Sequence, residues 1–197
     1  LAHRAGDRRD AGGVNRRHLL VALAIVALAT GVLLAMGRNT ICPCGRVDLW
    51  TGTVAGPENS QMIADWYTPS HVIHGFLFYL AGWLLLRRRT IGSRFVAAVA
   101  VEAGWEVLEN SPLIIDRYRE ATIAYGYLGD SVLNSVADIG WMAFGFLLAR
   151  RLPVAATITL GLGFELLTLW AIRDNLTLNV LMLVWPIAAI RHWQGGL

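Results

Sequence analysis

Long runs of apolar residues dominate this chain, and short polar segments separate them. A helix needs about 20 consecutive apolar residues to cross the hydrocarbon core of a bilayer. Six segments approach that length, and we predict a transmembrane helix in each: residues 18–37, 71–86, 95–108, 130–149, 154–172 and 176–190. The last segment is short, so a bundle of five spans is the alternative. The pattern predicts an all-α fold, a polytopic transmembrane helical bundle of about six spans.

Arginines are placed unevenly between these segments. All 17 basic residues are arginines, and six spans would put most of them on one side of the membrane. Cytoplasmic loops carry an excess of basic residues, so we predict that both termini are cytoplasmic. Residues 1–17 then form a basic cytoplasmic arm, and residues 18–197 form a single transmembrane domain with external loops at about 38–70 and 111–129. The arginines of the arm are Arg4, Arg8, Arg9, Arg16 and Arg17.

Composition supports a membrane protein, since 55% of the residues are hydrophobic and only 16% are charged. Ordinary soluble domains are nearer a quarter charged. The chain has no zinc-finger spacing and no basic stripe interleaved with aromatic residues, so we predict membrane lipids as partners and no nucleic acid. The sequence identifies no protein partner. The expected location is a bacterial inner membrane.

Two features of the predicted external loops carry separate expectations. Cys42 and Cys44 flank one proline in "ICPCG", and a disulfide across it would be strained. We therefore expect two free thiols, with a metal or redox role or pairing to another chain as alternatives. Tyr118, Tyr125 and Tyr127 lie near arginines in the second loop, a composition typical of a segment at the level of the lipid headgroups.

Polar residues recur at helical spacing inside the apolar segments. Asp130, Asn134 and Asp138 are four residues apart in "GDSVLNSVADIGW", and two further sets share a helix face in the same way: Glu102, Glu106 and Glu109, and His71 and His74. A carboxylate in hydrocarbon is costly, so such residues face the bundle interior. With six spans Glu102 lies near mid-membrane, and nearly every ionisable residue inside the membrane falls in its outer half. The spacing therefore predicts a polar cavity that opens to the outside.

Structural roles compete with this interpretation. Asp130 and Asp174 begin predicted helices and could be N-caps, as Ser70 could be for the second span. Glu102, Glu106, Asp138 and Glu165 have no capping role. For them the alternative is a polar network that ties helices together.

Two histidines with several carboxylates are suitable ligands for zinc or another divalent metal, which could activate water. Clustered carboxylates could instead act as general acid and base. The predicted metal ligands are His71, His74, Glu106 and Asp138, and the predicted catalytic residues are Glu106, Asp138 and Glu102. The core of this site would be His74, Glu106 and Asp138, converging from three helices. The predicted substrate-binding residues are Asn134, Glu165, Arg117, Arg119, Arg173 and Asn179. The arginines among them would hold a phosphate or carboxylate headgroup.

Four longer stretches resemble an uncharacterised family of bacterial multi-pass inner-membrane proteins. They are "WYTPSHVIHGFLFY", "EAGWEVLENSPLIIDRYR", "GYLGDSVLNSVADIGWMAFGF" and "RDNLTLNVLMLVWP". A looser likeness is to VanZ-like membrane proteins. The resemblance implies a membrane location and no activity. The segment "LNSVAD" echoes a catalytic segment of prolipoprotein signal peptidases, but its spacing is one residue too long and their second catalytic segment is absent.

The sequence thus favours an outward-facing intramembrane site that acts on a lipid or envelope precursor. The alternative is a non-enzymatic module for binding or resistance, or a small permease. The apolar inner halves of the second, fourth and fifth spans argue against a pathway through the membrane. Whether the protein is an enzyme, and whether it binds metal, stays open at this point.

Overall fold

The computed structural model describes residues 13–122, 124 and 126–195, which form eight α-helices and no strand. Arg4, Arg8, Arg9 and Tyr125 lie outside the described residues. The helices are α1 (Arg16–Ala35), α2 (Thr68–Leu85), α3 (Ile91–Glu109), α4 (Pro112–Ala121), α5 (Val132–Arg151), α6 (Val154–Ile172), α7 (Leu176–Val184) and α8 (Ala188–Gln194).

Three of these helices are long and apolar enough to cross a membrane, namely α1, α5 and α6. In α6 only 11% of the apolar window is buried inside the protein, against 50% in α5. An apolar helix with so much outward-facing surface is suited to lipid. Helices α2 and α3 have 18 and 19 residues but are not among the three, and they carry the histidines and glutamates of the site.

The predicted sixth span, residues 176–190, is wrong as a single helix. Helix α7 ends at Val184, and α8 begins only at Ala188. Pro186 follows Trp185, whose φ of −138° and ψ of 85° leave the helical region. A proline lacks an amide hydrogen and disfavours helical backbone in the residue before it, which explains the break.

The predicted N-caps are also wrong. Tyr67 precedes α2, so Ser70 lies inside that helix. Helix α5 is capped by the side chain of Ser131 rather than by Asp130. Asn175, and not Asp174, caps α7 in the same way, so both aspartates are free for other contacts.

Helices α2 and α5 make the most extensive helix–helix contact, and glycines allow their backbones to meet. A methyl group on Gly75 would overlap the carbonyl oxygen of Met142, and one on Gly145 would overlap that of Val72. Small residues permit this close approach between helices that lack a hydrophobic driving force in lipid. The contact fixes the histidine-bearing face of α2 beside Asp138 of α5.

The two ends of the bundle differ in chemistry. At one end Gly13 lies near Arg150, and the ring of His18 lies against Gly92 at the start of α3. The turn with Arg87, Arg88 and Arg89 joins α2 to α3 at this same end. The opposite end holds the start of α5 and the end of α3, where the carboxylates and amides are concentrated.

A long loop, residues 36–67, covers the carboxylate-rich end. The backbone amides of Val132 and Leu133 donate to the carbonyls of Asn39 and Thr40, at 2.8 and 3.1 Å. The Gln61 side-chain amide donates to the Gly129 carbonyl at 2.8 Å. The loop is therefore hydrogen-bonded to the start of α5 and covers the site.

Cys42 and Cys44 form a disulfide in this loop, so the expectation of two free thiols is wrong. Their Cα atoms are 5.1 Å apart, within the usual disulfide range of about 4.4–6.8 Å. A turn in which the Gly45 amide donates to the Cys42 carbonyl brings the two residues together. Spacing in the sequence alone did not reveal that turn.

Candidate functional site

The centre of the site is the imidazole of His71 in α2. Its Nδ1 lies 2.8 Å from Oε1 of Glu102 in α3, and Nδ1 of His74 lies 3.0 Å from the same oxygen. Their spacing of three residues on a helix turns both histidines toward α3. Because a carboxylate can only accept, each Nδ1 carries the proton in these hydrogen bonds.

Two further carboxylates flank His71. Oε1 of Glu106 is 3.7 Å from its Nδ1, and Oδ2 of Asp138 is 3.6 Å from its Nε2. Glu102 and Glu106 are one helical turn apart on α3, and Asp138 comes from α5. The ring thus lies among three carboxylates from two helices, with Nε2 facing Asp138.

Burial makes this arrangement costly without a cation. Glu102 and Glu106 are 0% exposed and Asp138 is 4% exposed. Neither carboxylate oxygen of Glu106 has a hydrogen-bond partner, nor has Oδ1 of Asp138. An ionised carboxylate buried without hydrogen bonds carries a penalty of several kcal/mol, which a proton or a metal ion removes.

The ligand atoms lie at distances that suit a metal ion. One ligand atom each from His71, Glu106 and Asp138 lie within 4.8 Å of one another, and so do atoms from His71, His74 and Glu102. Zinc binds imidazole nitrogens and Asp or Glu oxygens, and a site with three protein ligands leaves one coordination position for water. Glu102, hydrogen-bonded to both rings, orients the histidines as outer carboxylates do in such sites.

A third group of possible ligands extends the cluster toward the loop between α4 and α5. Glu106, Glu109 and Asp130 bring their carboxylate oxygens within 4.8 Å of one another. Asp130 already accepts hydrogen bonds from Asn110 Nδ2 at 2.9 Å and from the Tyr127 hydroxyl at 2.7 Å. Burial raises the pKa of Asp130, although these two hydrogen bonds lower it. Asp130 is thus a member of the polar cluster rather than a helix cap.

Two of the predicted substrate-binding residues accept hydrogen bonds from backbone or donate to it, and their role in binding a substrate stays a prediction. Asn134 donates from Nδ2 to the Met62 carbonyl at 2.8 Å, which ties α5 to the covering loop. Glu165 accepts from the backbone amides of Leu176 and Thr177, at 3.0 and 3.2 Å, so it caps the start of α7. Glu165 belongs to none of the groups of His, Cys, Asp and Glu side chains that could hold a metal in the described part of the chain.

The three arginines expected to bind a headgroup do not converge. Arg117 donates to the Leu183 carbonyl at 2.8 Å, and Arg119 to the Tyr127 carbonyl at 2.6 Å. Arg173 donates to a backbone carbonyl of α8 at 2.9 Å. Each guanidinium group therefore anchors a different backbone segment, and their role in binding a substrate stays a prediction.

A cavity of about 80 Å³ adjoins the cluster. The Tyr118 hydroxyl donates to Asn179 Oδ1 at 3.0 Å across it. Tyr118 and Tyr127 are buried and pack edge to face. The segment predicted to lie at the level of the lipid headgroups therefore directs these two tyrosines into the protein. The lining includes Tyr67, His71, Glu109, Tyr118, Asp138 and Asn179. This space can hold an ion with a few waters.

Sequence reasoning missed the contribution of the covering loop. Asp65 is 2% exposed, and its Oδ1 accepts from the Tyr67 amide at 2.7 Å. Burial raises the pKa of Asp65 to about 6. Asn59 and Ser60 line the cavity. The loop has no helical periodicity, so only the density of polar residues in "ENSQMIADWY" could have drawn attention to it.

Comparison with known proteins identifies relatives but no activity. Residues 33–196 match the family described as protein of unknown function (DUF2585). A UPF0314 protein of Novosphingobium aromaticivorans is 61% identical over 181 residues, 89% of each chain. One from Sphingopyxis alaskensis is 56% identical, covering 94% of this chain and 98% of its own, and one from Rhizobium meliloti is 53% identical over 98% of both. No solved structure matches.

Proposed function

The chain belongs to the DUF2585 family of proteins of unknown function, and we propose that it is a multi-pass inner-membrane protein with a divalent-metal site near the outer surface. The site would act on a membrane lipid or envelope precursor. One observation carries the proposal: His71 lies between Glu102, Glu106 and Asp138, and both buried oxygens of Glu106 lack a hydrogen-bond partner.

Membrane insertion is supported by the distribution of polarity. Helices α1, α5 and α6 are apolar enough to span. Under the proposal α2 and α3 also cross, because their polar groups pair with one another and with α5 inside the bundle. The arginine-rich end would face the cytoplasm by the excess of basic residues on that side, which puts the start of α1 inside and the cluster outside. The prediction of a cytoplasmic C-terminus does not fit this arrangement, because Gln194 of α8 donates to the Arg173 carbonyl and to Asp174 Oδ1, at the same end as the cluster.

The chemistry follows from the roles of the buried side chains. Glu106, Asp138 and Nε2 of His71 would hold the ion, while Glu102 and His74 keep the His71 ring in place. A bound divalent ion supplies Lewis acidity and lowers the pKa of a water ligand. The remaining carboxylates at the cavity, Glu109 and Asp130, are placed to accept a proton from that water.

The small size of the cavity favours a second candidate, a non-catalytic module that binds an ion. About 80 Å³ encloses an ion and a few waters, but not a whole lipid headgroup with its attacking water. A permease is less well supported, because the polar groups gather at one end of the bundle.

Metal binding by the purified protein tests the proposal. We expect roughly one Zn²⁺ per chain in detergent, measured by elemental analysis and by titration with Zn²⁺ alone. Glu106→Gln and Asp138→Asn should weaken binding at least about 10-fold while leaving thermal stability nearly unchanged, because removing a buried charge offsets the lost contacts.

Asp174→Asn is the matched control, since Asp174 is a buried carboxylate between α6 and α7 and outside the central cluster. It should bind Zn²⁺ like the unaltered protein. Equal binding by all variants, or full complementation of a deletion strain by both Glu106→Gln and Asp138→Asn, would reject the metal site. A bundle stabilised by polar contacts would then be the better description. Retained complementation by Asp174→Asn alone supports the site.

A further inference from the structure

Two of the groups of possible metal ligands share Glu106. The first group is His71, Glu106 and Asp138, and the second is Glu106, Glu109 and Asp130. In each group, one ligand atom from every residue lies within 4.8 Å of the others. Glu106 therefore lies between two positions for an ion, one beside α5 and one beside the segment that precedes α5.

Glu106 has the properties of a carboxylate that bridges two ions. Its side chain is 0% exposed, and neither of its oxygens has a hydrogen-bond partner among the described residues. An ion bound through one oxygen would leave the other buried and unpaired, which is unfavourable. A carboxylate that gives one oxygen to each of two ions satisfies both oxygens, and two-metal sites have the ions about 3.5–4 Å apart.

The ligands of the second group are held in place by neighbouring side chains. Asn110, which follows α3, accepts the Asp130 backbone amide at 2.7 Å and donates from Nδ2 to Asp130 Oδ2 at 2.9 Å. The Tyr127 hydroxyl donates to Oδ1 at 2.7 Å. Hydrogen bonds of this kind orient carboxylates that bind metals. Glu109 follows Glu106 by three residues on α3, so the two side chains are neighbours on that helix.

Charge and ligand type both favour a second ion of a different kind. The two groups contain four carboxylates, and one divalent ion compensates only half of their charge when all four are ionised. The second group offers only oxygen ligands, whereas the first includes an imidazole. Carboxylates with water suit Mn²⁺ and Mg²⁺, and imidazole suits Zn²⁺. Glu109 and Asp130 line the polar cavity, which leaves room for the waters that such ions retain.

We propose that a second divalent cation, of the harder class that includes Mn²⁺ and Mg²⁺, binds to Glu106, Glu109 and Asp130. Glu106 bridges it to the ion that His71 and Asp138 hold. The inference rests on the proposed function for that first ion. With the first ion alone, Glu109 and Asp130 stay available to accept a proton, and the second ion takes their oxygens as ligands instead.

The test uses the full chain in detergent, stripped with a chelator, loaded with equimolar Zn²⁺ and then titrated with Mn²⁺ alone. Electron paramagnetic resonance measures free Mn²⁺, and elemental analysis measures the zinc that remains bound. We expect about one Mn²⁺ per chain to bind while Zn²⁺ stays in place, because the oxygen-only position suits the harder ion.

Three variants distinguish the two positions, with binding of each ion measured separately. Glu109→Gln should weaken Mn²⁺ binding at least about 10-fold and leave Zn²⁺ bound. Asp138→Asn should do the reverse. Glu106→Gln should weaken the binding of both ions, because both share this carboxylate. Asp174→Asn, at a buried carboxylate outside both groups, is the control and should bind both ions normally.

A second readout reports on the bridge itself. Excess Mn²⁺ without zinc should fill both positions, and coupling through Glu106 should give hyperfine lines more closely spaced than those of an isolated ion. Glu109→Gln should restore the spectrum of an isolated ion. Glu109 is a better target than Asp130, because the hydrogen bonds of Asp130 to Asn110 and Tyr127 also hold the segment before α5.

Zinc-loaded protein that binds no Mn²⁺, or binds it equally well in Glu109→Gln, would overturn the second ion and leave the proposed function standing. Mn²⁺ binding that is lost in Glu109→Gln, in protein that retains no Zn²⁺, would keep the oxygen-only position and reject the zinc site. Unchanged Mn²⁺ binding in Glu106→Gln would overturn the bridge. Binding of a second Zn²⁺ that Glu109→Gln removes would support the pair and overturn its preference for a harder ion.

Discussion

At the scale of single residues, Asp174 is a buried carboxylate outside the central cluster, and its contribution to stability depends on pH. Asp174 is 1% exposed, and its Oδ1 accepts from the Asn175 amide at 3.0 Å and from Gln194 Nε2 at 3.2 Å. Burial raises its pKa to about 6, against the hydrogen bonds that lower it. The folded state therefore holds this proton more tightly than the unfolded chain does.

The sign of the pH effect follows from that difference. The stability that protonated Asp174 contributes is fully present below the ordinary pKa of 3.8 and is lost as pH rises through about 6. We expect Asp174→Asn, which keeps the accepting oxygen without the charge, to stabilise the protein at pH 7.5 by up to roughly 3 kcal/mol. The gain should disappear near pH 4, and thermal unfolding in detergent at both pH values measures it.

Asp116→Asn is the control for this change, because the side chain of Asp116 is 65% exposed. It should shift the unfolding temperature little at either pH. A loss of stability at pH 7.5 in Asp174→Asn would show that the charge of Asp174 stabilises the fold, contrary to this argument.

At the scale of helices, the contact between α2 and α5 determines whether the site forms. Gly75→Ala and Gly145→Ala would each place a methyl group against the backbone of the facing helix. Backbone cannot rotate away as a side chain can, so the helices must separate, and overpacking typically costs about 1–3 kcal/mol. We expect lower unfolding temperatures and weaker Zn²⁺ binding, because the histidines of α2 would move away from Asp138.

Gly140→Ala lies on the same helix α5, where nothing is within 4 Å of the added methyl group. Alanine favours helix over glycine by about 1 kcal/mol, so this control should be neutral or stabilising. If Gly75→Ala and Gly145→Ala behave like Gly140→Ala, the close backbone contact does not hold the site together.

Helix faces could be predicted from the sequence more completely than the contacts between them. Periodicity placed Glu102 and Glu106 on one face of α3, and His71 and His74 on one face of α2. It did not show that His71 rather than His74 would lie beside Glu106 and Asp138, because that depends on how α2 packs against α3 and α5. Pro186 explains the break between α7 and α8, but the hydrophobic run of residues 176–190 continues across it and therefore predicted one span.

At the scale of the whole molecule, the sequence did not predict the structure of the loop that covers the site. Residues 36–67 have no regular periodicity, and their hydrogen bonds to α5 join residues about 70 to 90 positions apart. The disulfide between Cys42 and Cys44 depends on a turn within that loop. Long-range pairing of irregular backbone leaves no local pattern in a sequence.

The same loop provides the test of orientation for the whole chain. The proposed topology puts residues 36–67 outside and the turn between α2 and α3 in the cytoplasm. Cys44 is exposed and Cys42 is buried, and both are bonded in the disulfide, so labelling requires prior reduction. In cells stripped of their outer barrier, we expect an impermeant maleimide to modify Cys44 only after mild reduction.

The internal reporter is Arg88→Cys on the exposed turn between α2 and α3, with Cys42→Ser and Cys44→Ser added so that one thiol remains. This thiol should react only after the inner membrane is opened, because the arginine-rich end is predicted to be cytoplasmic. The opposite pattern, with Arg88→Cys labelled in intact cells and Cys44 protected, would invert the orientation. The carboxylate cluster would then face the cytoplasm, and an external lipid or envelope precursor would no longer be a reasonable substrate.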